Sequence, residues 1–205
     1  MARYTGPRDK ISRRFGVPLF GPSKALERRS YPPGMHGGIR GGRRTKKSDY
    51  ALALAEKQKL RFQYGVLEKQ FRRYFAEAQR RRGVTGTLLI QLLEMRLDNI
   101  IYRLGFANTR AGARQFVNHG HVLVNERRVD IPSYSTKPGD VVTVRDNPRS
   151  KQLALRGLDL TQAVPPSEWL VVDRDNLSGT ISRIPEREEI DPMVNEQLVV
   201  ELYSR

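Results

Sequence analysis

Cysteine does not occur anywhere in the 205 residues. That excludes a disulfide framework, a thiolate zinc finger, an iron–sulfur cluster and a cysteine nucleophile. Long apolar runs are also missing. No stretch approaches the roughly 18 apolar residues of a membrane helix, and the N-terminus carries no apolar segment of signal-peptide type. The expectation is an intracellular protein with no membrane partner. Histidine is scarce, with three residues, His36, His119 and His121. The pair in His119-Gly120-His121 has neither a cysteine nor a carboxylate cluster beside it to complete a metal site, so no metal and no cofactor are expected. The glycines of 37–42 lack the Walker spacing and any preceding strand, so they do not read as a nucleotide loop. No Ser/His/Asp arrangement presents itself, and an enzyme is not expected.

Basic side chains are what the sequence has in excess. Lys and Arg number 37 against 22 Asp and Glu, a net charge of +15. The excess sits at the front. Residues 1–50 carry a net +10, whereas residues 151–205 carry a net −4. Solubility does not require that asymmetry, and a polyanionic partner explains it better. The acidic end includes Glu186, Glu188, Glu189 and Asp191, which read as a solvated run or as a protein-docking patch.

Residues 1–47 are broken by Gly6-Pro7, Gly21-Pro22, Pro32-Pro33-Gly34, Gly37-Gly38 and Gly41-Gly42. Apolar surface is too sparse there to pack a core. The segment reads as an arm that is mobile alone and becomes ordered on a phosphate backbone, or as a loose tail. Phe15, Leu19, Phe20, Tyr31 and Met35 offer something to pack and argue against a purely solvated tail.

Helical patterns begin at Ser48, a candidate cap, and the first ends at Gly65. Leu67, Phe71, Tyr74, Phe75 and Ala78 then form one apolar stripe. Arg72, Arg73 and Arg80 to Arg82 lie mostly off it, as phosphate ligands or as a solvated face suited to the helix dipole. A third helix holds Leu88, Leu89, Leu92 and Leu93. A fourth holds Leu97, Ile100, Ile101 and Leu104, closed by Gly105. These residues are core. Thr109 caps a short helix that ends at Gly120, with Ala113, Phe116 and Val117 inward. On it Arg110 and Arg114 are four apart and share a face, flanked by Gln115 and Asn118. The set suits phosphates and base edges, against the plainer reading of two solvated arginines.

Alternation follows. Val122 and Val124 predict a strand, Asn125-Glu126-Arg127 a turn, and Val129 and Ile131 the returning strand. Lys137-Pro138-Gly139-Asp140 is a turn, and Val141, Val142 and Val144 a further strand. Residues 151–164 are weakly helical. Trp169 to Val172 and Thr180 to Ser182 read as paired strands. Asp191 is placed as the cap of a last helix, with Pro192 in its first position and Val194, Leu198 and Leu202 inward.

Several of these stretches carry a family likeness. The run Arg96-Leu97-Asp98-Asn99-Ile100-Ile101-Tyr102-Arg103-Leu104-Gly105-Phe106-Ala107, with Thr109-Arg110, Ala113-Arg114-Gln115, His119-Gly120-His121-Val122 and Val129-Asp130-Ile131-Pro132-Ser133-Tyr134, resembles an RNA-binding module. The module is named after the fourth protein of the small ribosomal subunit. Outside it, Tyr31-Pro32-Pro33-Gly34, Glu56-Lys57-Gln58-Lys59-Leu60-Arg61, Gln70-Phe71-Arg72-Arg73-Tyr74-Phe75 and the ending from Asn195 to Arg205 resemble the bacterial-type ribosomal family itself. The likeness covers nearly the whole chain. Many relatives bind zinc through four N-terminal cysteines; this chain has none, so zinc is not carried over. The family's usual Asn-Gly hairpin is here Asn125-Glu126. A type I′ turn needs positive φ at both positions, and Glu126 makes that turn a poor expectation.

The resemblance implies an α+β chain. A mainly helical domain with a basic N-terminal arm would surround an inserted α+β RNA-binding module with a small antiparallel sheet. The expected divisions are an arm over 1–47, a helical domain over 48–95 completed by a C-terminal helix over 186–205, and the module with a β-rich extension over 96–185. The implied role is a structural component of the small ribosomal subunit. It would be a primary binder of a multi-helix junction in the 5′ part of the ribosomal RNA, nucleating assembly of the subunit body and contributing to decoding accuracy. Implied partners are small-subunit ribosomal RNA, neighbouring proteins of the subunit, especially the fifth, and messenger RNA where it enters the subunit. The RNA-binding residues expected in the arm are Arg3, Arg8, Lys10, Arg13, Arg14, Arg28, Arg29, Tyr31, His36, Arg43, Arg44, Lys46 and Lys47. In the helical domain they are Lys57, Lys59, Arg61, Arg72 and Arg73. In the module they are Arg96, Arg110, Arg114, Gln115, Asn118 and His119. The alternative is an RNA-modifying enzyme or a stand-alone RNA-binding regulator built on the same module.

Overall fold

The computed structural model describes residues 3–34, 48–165, 167–190 and 194–204. The chain divides into two compact units, residues 1–87 with 192–205, and residues 88–191.

The first unit is helical. α1 (Arg8–Phe15) is closed by Gly16, whose φ of 72° is the left-handed conformation that glycine adopts without a Cβ penalty. α2 (Lys24–Arg28) is capped by Ser23, whose hydroxyl accepts from the Leu26 amide at 3.3 Å. The arm is expected to have no core of its own, but to carry apolar residues that offer something to pack. Tyr4, Phe15 and Phe20 surround the ring of Phe62 on a neighbouring helix, at centroid distances of 5.1, 6.4 and 6.2 Å. Leu19 is buried as well. The physical reason is that a few scattered apolar residues cannot make a core, but they can finish one offered by a neighbouring helix. His36, Arg43, Arg44, Lys46 and Lys47 lie outside the described residues.

α3 (Asp49–Gln63) starts at Ser48, which accepts from the Ala51 amide. α4 (Glu68–Arg80) buries Phe71, Phe75 and Ala78 on the expected stripe. The last helix, α9 (Glu196–Ser204), begins later than expected. Asn195 caps it, its side chain accepting from the Gln197 amide at 3.0 Å, and its own amide donates to Glu56 Oε2 at 3.1 Å. Asp191 and Pro192, assigned to that cap from the sequence, lie outside the described residues.

Tyr203 on α9 stacks on Phe71 and Phe75 and donates its hydroxyl to Glu68 at 2.9 Å. Lys57 reaches both Glu68 oxygens at 3.0 Å. One carboxylate therefore ties α3, α4 and α9 together.

α5 (Thr85–Glu94) leads from the first unit into the second. There α6 (Leu97–Arg103) and α7 (Arg110–Asn118) pack against a five-stranded antiparallel sheet. Its strands are β1 (Val122–Val124), β2 (Arg127–Arg128), β3 (Val141–Val144), β4 (Leu170–Asp173) and β5 (Ser178–Ile181), in the spatial order β2-β1-β3-β5-β4. α8 (Pro148–Thr161) lies between β3 and β4 in the chain, capped by Asn147. Leu97, Ile100, Ile101, Phe116, Val117, Val122, Val142, Trp169 and Ile181 belong to a single core. Gly157 is needed there, since a Cβ would stand 2.3 Å from the carbonyl oxygen of Phe106.

Two expectations change in this unit. The returning strand is only two residues long, and Ile131 is 51 % exposed. The hairpin turn does place both central residues at positive φ, 48° for Asn125 and 66° for Glu126. Bonds between Asn125 and residues outside the turn offset the strain. The Asn125 Oδ1 accepts from the Val141 amide at 2.9 Å, and its Nδ2 donates to Asp140 at 2.9 Å.

The Glu68 knot makes the helical unit sensitive to acid. Burial alone would raise the Glu68 carboxyl, but the hydrogen bonds from Lys57 and Tyr203 outweigh it and hold it below its ordinary 4.5. A carboxylate lowered on folding stabilises above its unfolded pKa and loses that contribution as pH falls through the folded value. Glu68→Gln is expected to cost about 1–2 kcal/mol at neutral pH, the range for charged hydrogen bonds discounted for partial exposure. It should also flatten the decline of stability below pH 4.5. Urea unfolding of both proteins across that range is the check.

Candidate nucleic-acid interface

In the first unit most of the expected cations lie at the surface. Arg3, Arg8, Lys10, Arg14, Arg28, Arg29, Arg72 and Arg73 are exposed, as is Tyr31. Several are steadied from one side. Arg8 sits over the Phe20 ring and Arg14 over Phe15. Such cation–π contacts leave the charge in water while limiting its excursions. Arg72 reaches Glu68 only at 3.4 Å.

Four of the expected residues have other work. Arg13 is half-buried, and its Nε donates to the carbonyls of Arg29 and Tyr31 at 3.2 Å, pinning the chain after α2. Lys57 is buried against Glu68. Lys59 pairs with Glu56 at 2.5 Å, and Arg61 lies over the Phe62 ring at 4.7 Å, half-buried.

The second unit departs further from expectation. Arg96 is 1 % exposed and Arg114 4 %. Arg96 forks onto Asp98 with bonds of 3.0 and 2.6 Å, and Arg114 approaches the same carboxylate at 3.5 Å. Both guanidiniums are inside the protein, so Arg114 does not form with Arg110 the surface pair expected of the α7 face. The signal was in the spacing. Arg110, Ala113, Arg114 and Val117 fall at i, i+3, i+4 and i+7, so the two arginines share the stripe of residues already assigned inward.

Arg110 is half-buried. Its Nε donates to Asn99 Oδ1 at 2.8 Å, and its guanidinium lies 4.5 Å from the Tyr102 ring centre. Beneath it Glu94, wholly buried, accepts from Arg103 and Asn99. The other module residues face outward. Gln115, Asn118 and His119 are exposed at the C-terminal end of α7. Arg127 and Arg128 on the hairpin are exposed too. Arg128 closes over Gly120, where a Cβ would stand 2.5 Å from its Nε. His119 and Arg128 are thus exposed on either side of the buried Gly120.

Arg103, Arg127 and Arg128 are cations outside the expected set. Arg127 is assigned to a turn, and Arg128 follows it. Their adjacency next to an Asn-initiated hairpin is the signal that could have exposed them. His121 is a different case. Its Nδ1 lies 2.8 Å from the Ser150 hydroxyl, and burial, then the nearby charges of His119 and Arg145, push its pKa below the ordinary 6.5. The ring therefore stays neutral at physiological pH and adds no charge to the surface.

Among the described residues no group of three or more His, Asp or Glu could hold a metal. No described helix is long and apolar enough to cross a membrane.

Asp98 is the residue on which the inward pair depends. Asp98→Asn leaves two buried guanidiniums facing a neutral amide. The expected loss is about 3–5 kcal/mol of stability in the second unit, against less than about 0.5 kcal/mol for Gln115→Ala on the surface. Denaturant unfolding followed by Trp169 fluorescence reads both. Equal effects would mean that Asp98 is not the counter-charge.

Residues 3–94 match the family model described as the ribosomal protein S4/S9 N-terminal domain, and residues 95–142 match the S4 domain. The small ribosomal subunit protein uS4 of Akkermansia muciniphila is 66 % identical over 205 residues, covering all of both chains. Those of Opitutus terrae and Persephonella marina are 53 % and 51 % identical, again with full coverage of both chains. Helical unit, module and C-terminal helix are all included in these alignments, and the chain belongs to the small ribosomal subunit protein uS4 family.

Proposed function

We propose that the protein is a structural component of the small ribosomal subunit and acts by binding the subunit's ribosomal RNA. The observation that carries this reading is the exposed basic surface of the first unit in a chain whose full-length relatives are small-subunit proteins. Basic side chains release counterions from phosphates, and this supplies affinity without sequence preference. Register comes from a smaller set of placed groups. Gln115, Asn118 and His119 offer hydrogen-bonding groups at the end of α7, and Arg127 and Arg128 add charge on the hairpin, a mixture suited to the shape, 2′-hydroxyls and unstacked bases of folded RNA.

The finer reading rests on the family resemblance. In it the protein is a primary binder that meets a multi-helix junction in the 5′ part of the RNA and nucleates the subunit body in the cytoplasm. The acidic C-terminal third is a surface that RNA repels, and it suits neighbouring proteins, the fifth in particular. A place beside the incoming messenger RNA would account for a contribution to decoding accuracy. Co-sedimentation with small subunits after a salt wash tests membership of the particle.

Salt dependence tests the RNA mechanism. The log of affinity for small-subunit ribosomal RNA should fall linearly with the log of salt, with a slope of several units at about 0.7–0.9 per neutralised phosphate. Replacing Arg72 and Arg73 together by Ala should lower that slope by about 1–2 and weaken binding to all RNA sequences alike. A nearly flat titration of the unaltered protein overturns the reading.

A further inference from the structure

The charged cluster of the second unit holds more guanidinium than carboxylate. Glu94 is 0 % exposed and accepts from Arg103 through both oxygens, at 2.9 Å from Nε and 2.8 Å from the terminal nitrogen. Its Oε2 also accepts from Asn99 Nδ2 at 2.7 Å. Asn99 passes the constraint on, since its Oδ1 accepts from Arg110 Nε at 2.8 Å. A terminal nitrogen of Arg110 stands 3.9 Å from Glu94 Oε1. Below, Asp98 is shared by Arg96 and Arg114. Two carboxylates thus face four guanidiniums.

The four are not equally deep. The side chains of Arg96 and Arg114 are 1 % and 5 % exposed, whereas those of Arg103 and Arg110 are 22 % and 17 % exposed. Arg103 and Arg110 are therefore the members of the cluster that reach solvent. Each is held by its inner edge, Arg103 by a fork onto Glu94 and Arg110 by Asn99 and the Tyr102 ring. A guanidinium fixed along one edge has a set orientation for its outer side, and planar, pre-aligned guanidiniums are what phosphate oxygens bind best.

We propose that Glu94 is a positioning residue for RNA binding: this buried carboxylate, with Asn99 as its relay, aligns the guanidiniums of Arg103 and Arg110 to receive an RNA phosphate. The inference rests on the RNA-binding reading above and adds to it a residue that never touches RNA. It also reverses what charge counting predicts. Removing a carboxylate raises the net charge by one, and unselective electrostatics would then tighten RNA binding. Loss of alignment weakens it.

The test is Glu94→Gln in the full-length chain, which keeps an acceptor for Asn99 and removes the fork's charge. Binding to a transcript of the small-subunit ribosomal RNA is measured over a salt series, with thermal unfolding in parallel. The folded variant is expected to bind about tenfold more weakly, the scale of one charge-assisted contact. Introduced into an Arg103→Ala, Arg110→Ala background, the same change should leave affinity within about twofold, because Glu94 acts only through those two side chains. It should raise thermal stability there by neutralising a buried carboxylate that has lost both of these guanidiniums. A purely structural role would lower affinity in both backgrounds alike, and that result overturns the proposal. So does wild-type or tighter binding by folded Glu94→Gln. If Glu94→Gln does not fold, Arg103→Lys with Arg110→Lys decides, since it keeps both charges and loses the fork. A loss of about tenfold supports alignment, and wild-type affinity overturns it. Failure of the unaltered protein to bind the transcript would instead sink the RNA-binding reading itself.

Discussion

The ion cluster built on Glu94 and Asp98 is the constraint from which the module takes its shape. Buried charges are tolerated only when paired and hydrogen-bonded. Here the pairing spans the end of α5, the whole of α6 and the start of α7. Backbone bonds close the same region from the other side. Leu97 and Asp98 donate to the carbonyls of Tyr134 and Pro132, and Thr136 donates to Met95 through both its amide and its hydroxyl. The segment 95–98 is therefore clamped between a side-chain network and a loop. Apolar packing of Leu97, Ile100 and Val117 supplies the driving force, but it would tolerate small rotations of α6. The forked ion pairs do not, because a guanidinium and a carboxylate meet well in few orientations. An apolar cluster of the same volume would serve stability as well or better. What only this arrangement supplies is positive charge delivered to a surface in a set direction.

Much of the fold was legible because its punctuation is local. Ser48, Thr109 and Asn147 each cap the helix that follows them, through a hydrogen bond made within three residues. Stripes on α4 and α6 gave the inward faces without any need of tertiary information. The misreadings share a different cause. Tyr4, Phe15 and Phe20 look too sparse for a core until Phe62, far along the chain, is counted with them. Glu126 looks wrong for its turn until Asn125 is seen to be held by Val141 and Asp140. In each case the deciding partner is distant in sequence, and periodicity carries no record of it.

The arginines of α7 were misread for another reason. A basic residue on a helix is assigned to solvent by default, because lone buried charge is prohibitive. Arg114 escapes that rule because Asp98 comes with it, sixteen residues earlier. The candidate site was accordingly legible as a region and not as a set of contacts. Composition located the positive charge, while burial decided which charges remain available to a partner.

That distinction separates two kinds of work in one protein. Cations such as Arg28, Arg29, Arg72 and Arg73 stand on exposed helical surface or just beyond it. Their contribution to polyanion binding adds up with number, tolerates small displacements and weakens as salt screens it. The module spends its charges differently. Most of its guanidinium surface is committed inward, and its outer edge mixes Gln115, Asn118 and His119 with the few cations that emerge. Such groups add little attraction at a distance, but they fail when a phosphate or base edge is an ångström out of place. A basic helical surface that gathers RNA and a module rigid enough to reject the wrong register are complementary demands. Neither could be met by making the other surface larger, since more loose charge raises affinity for every RNA alike.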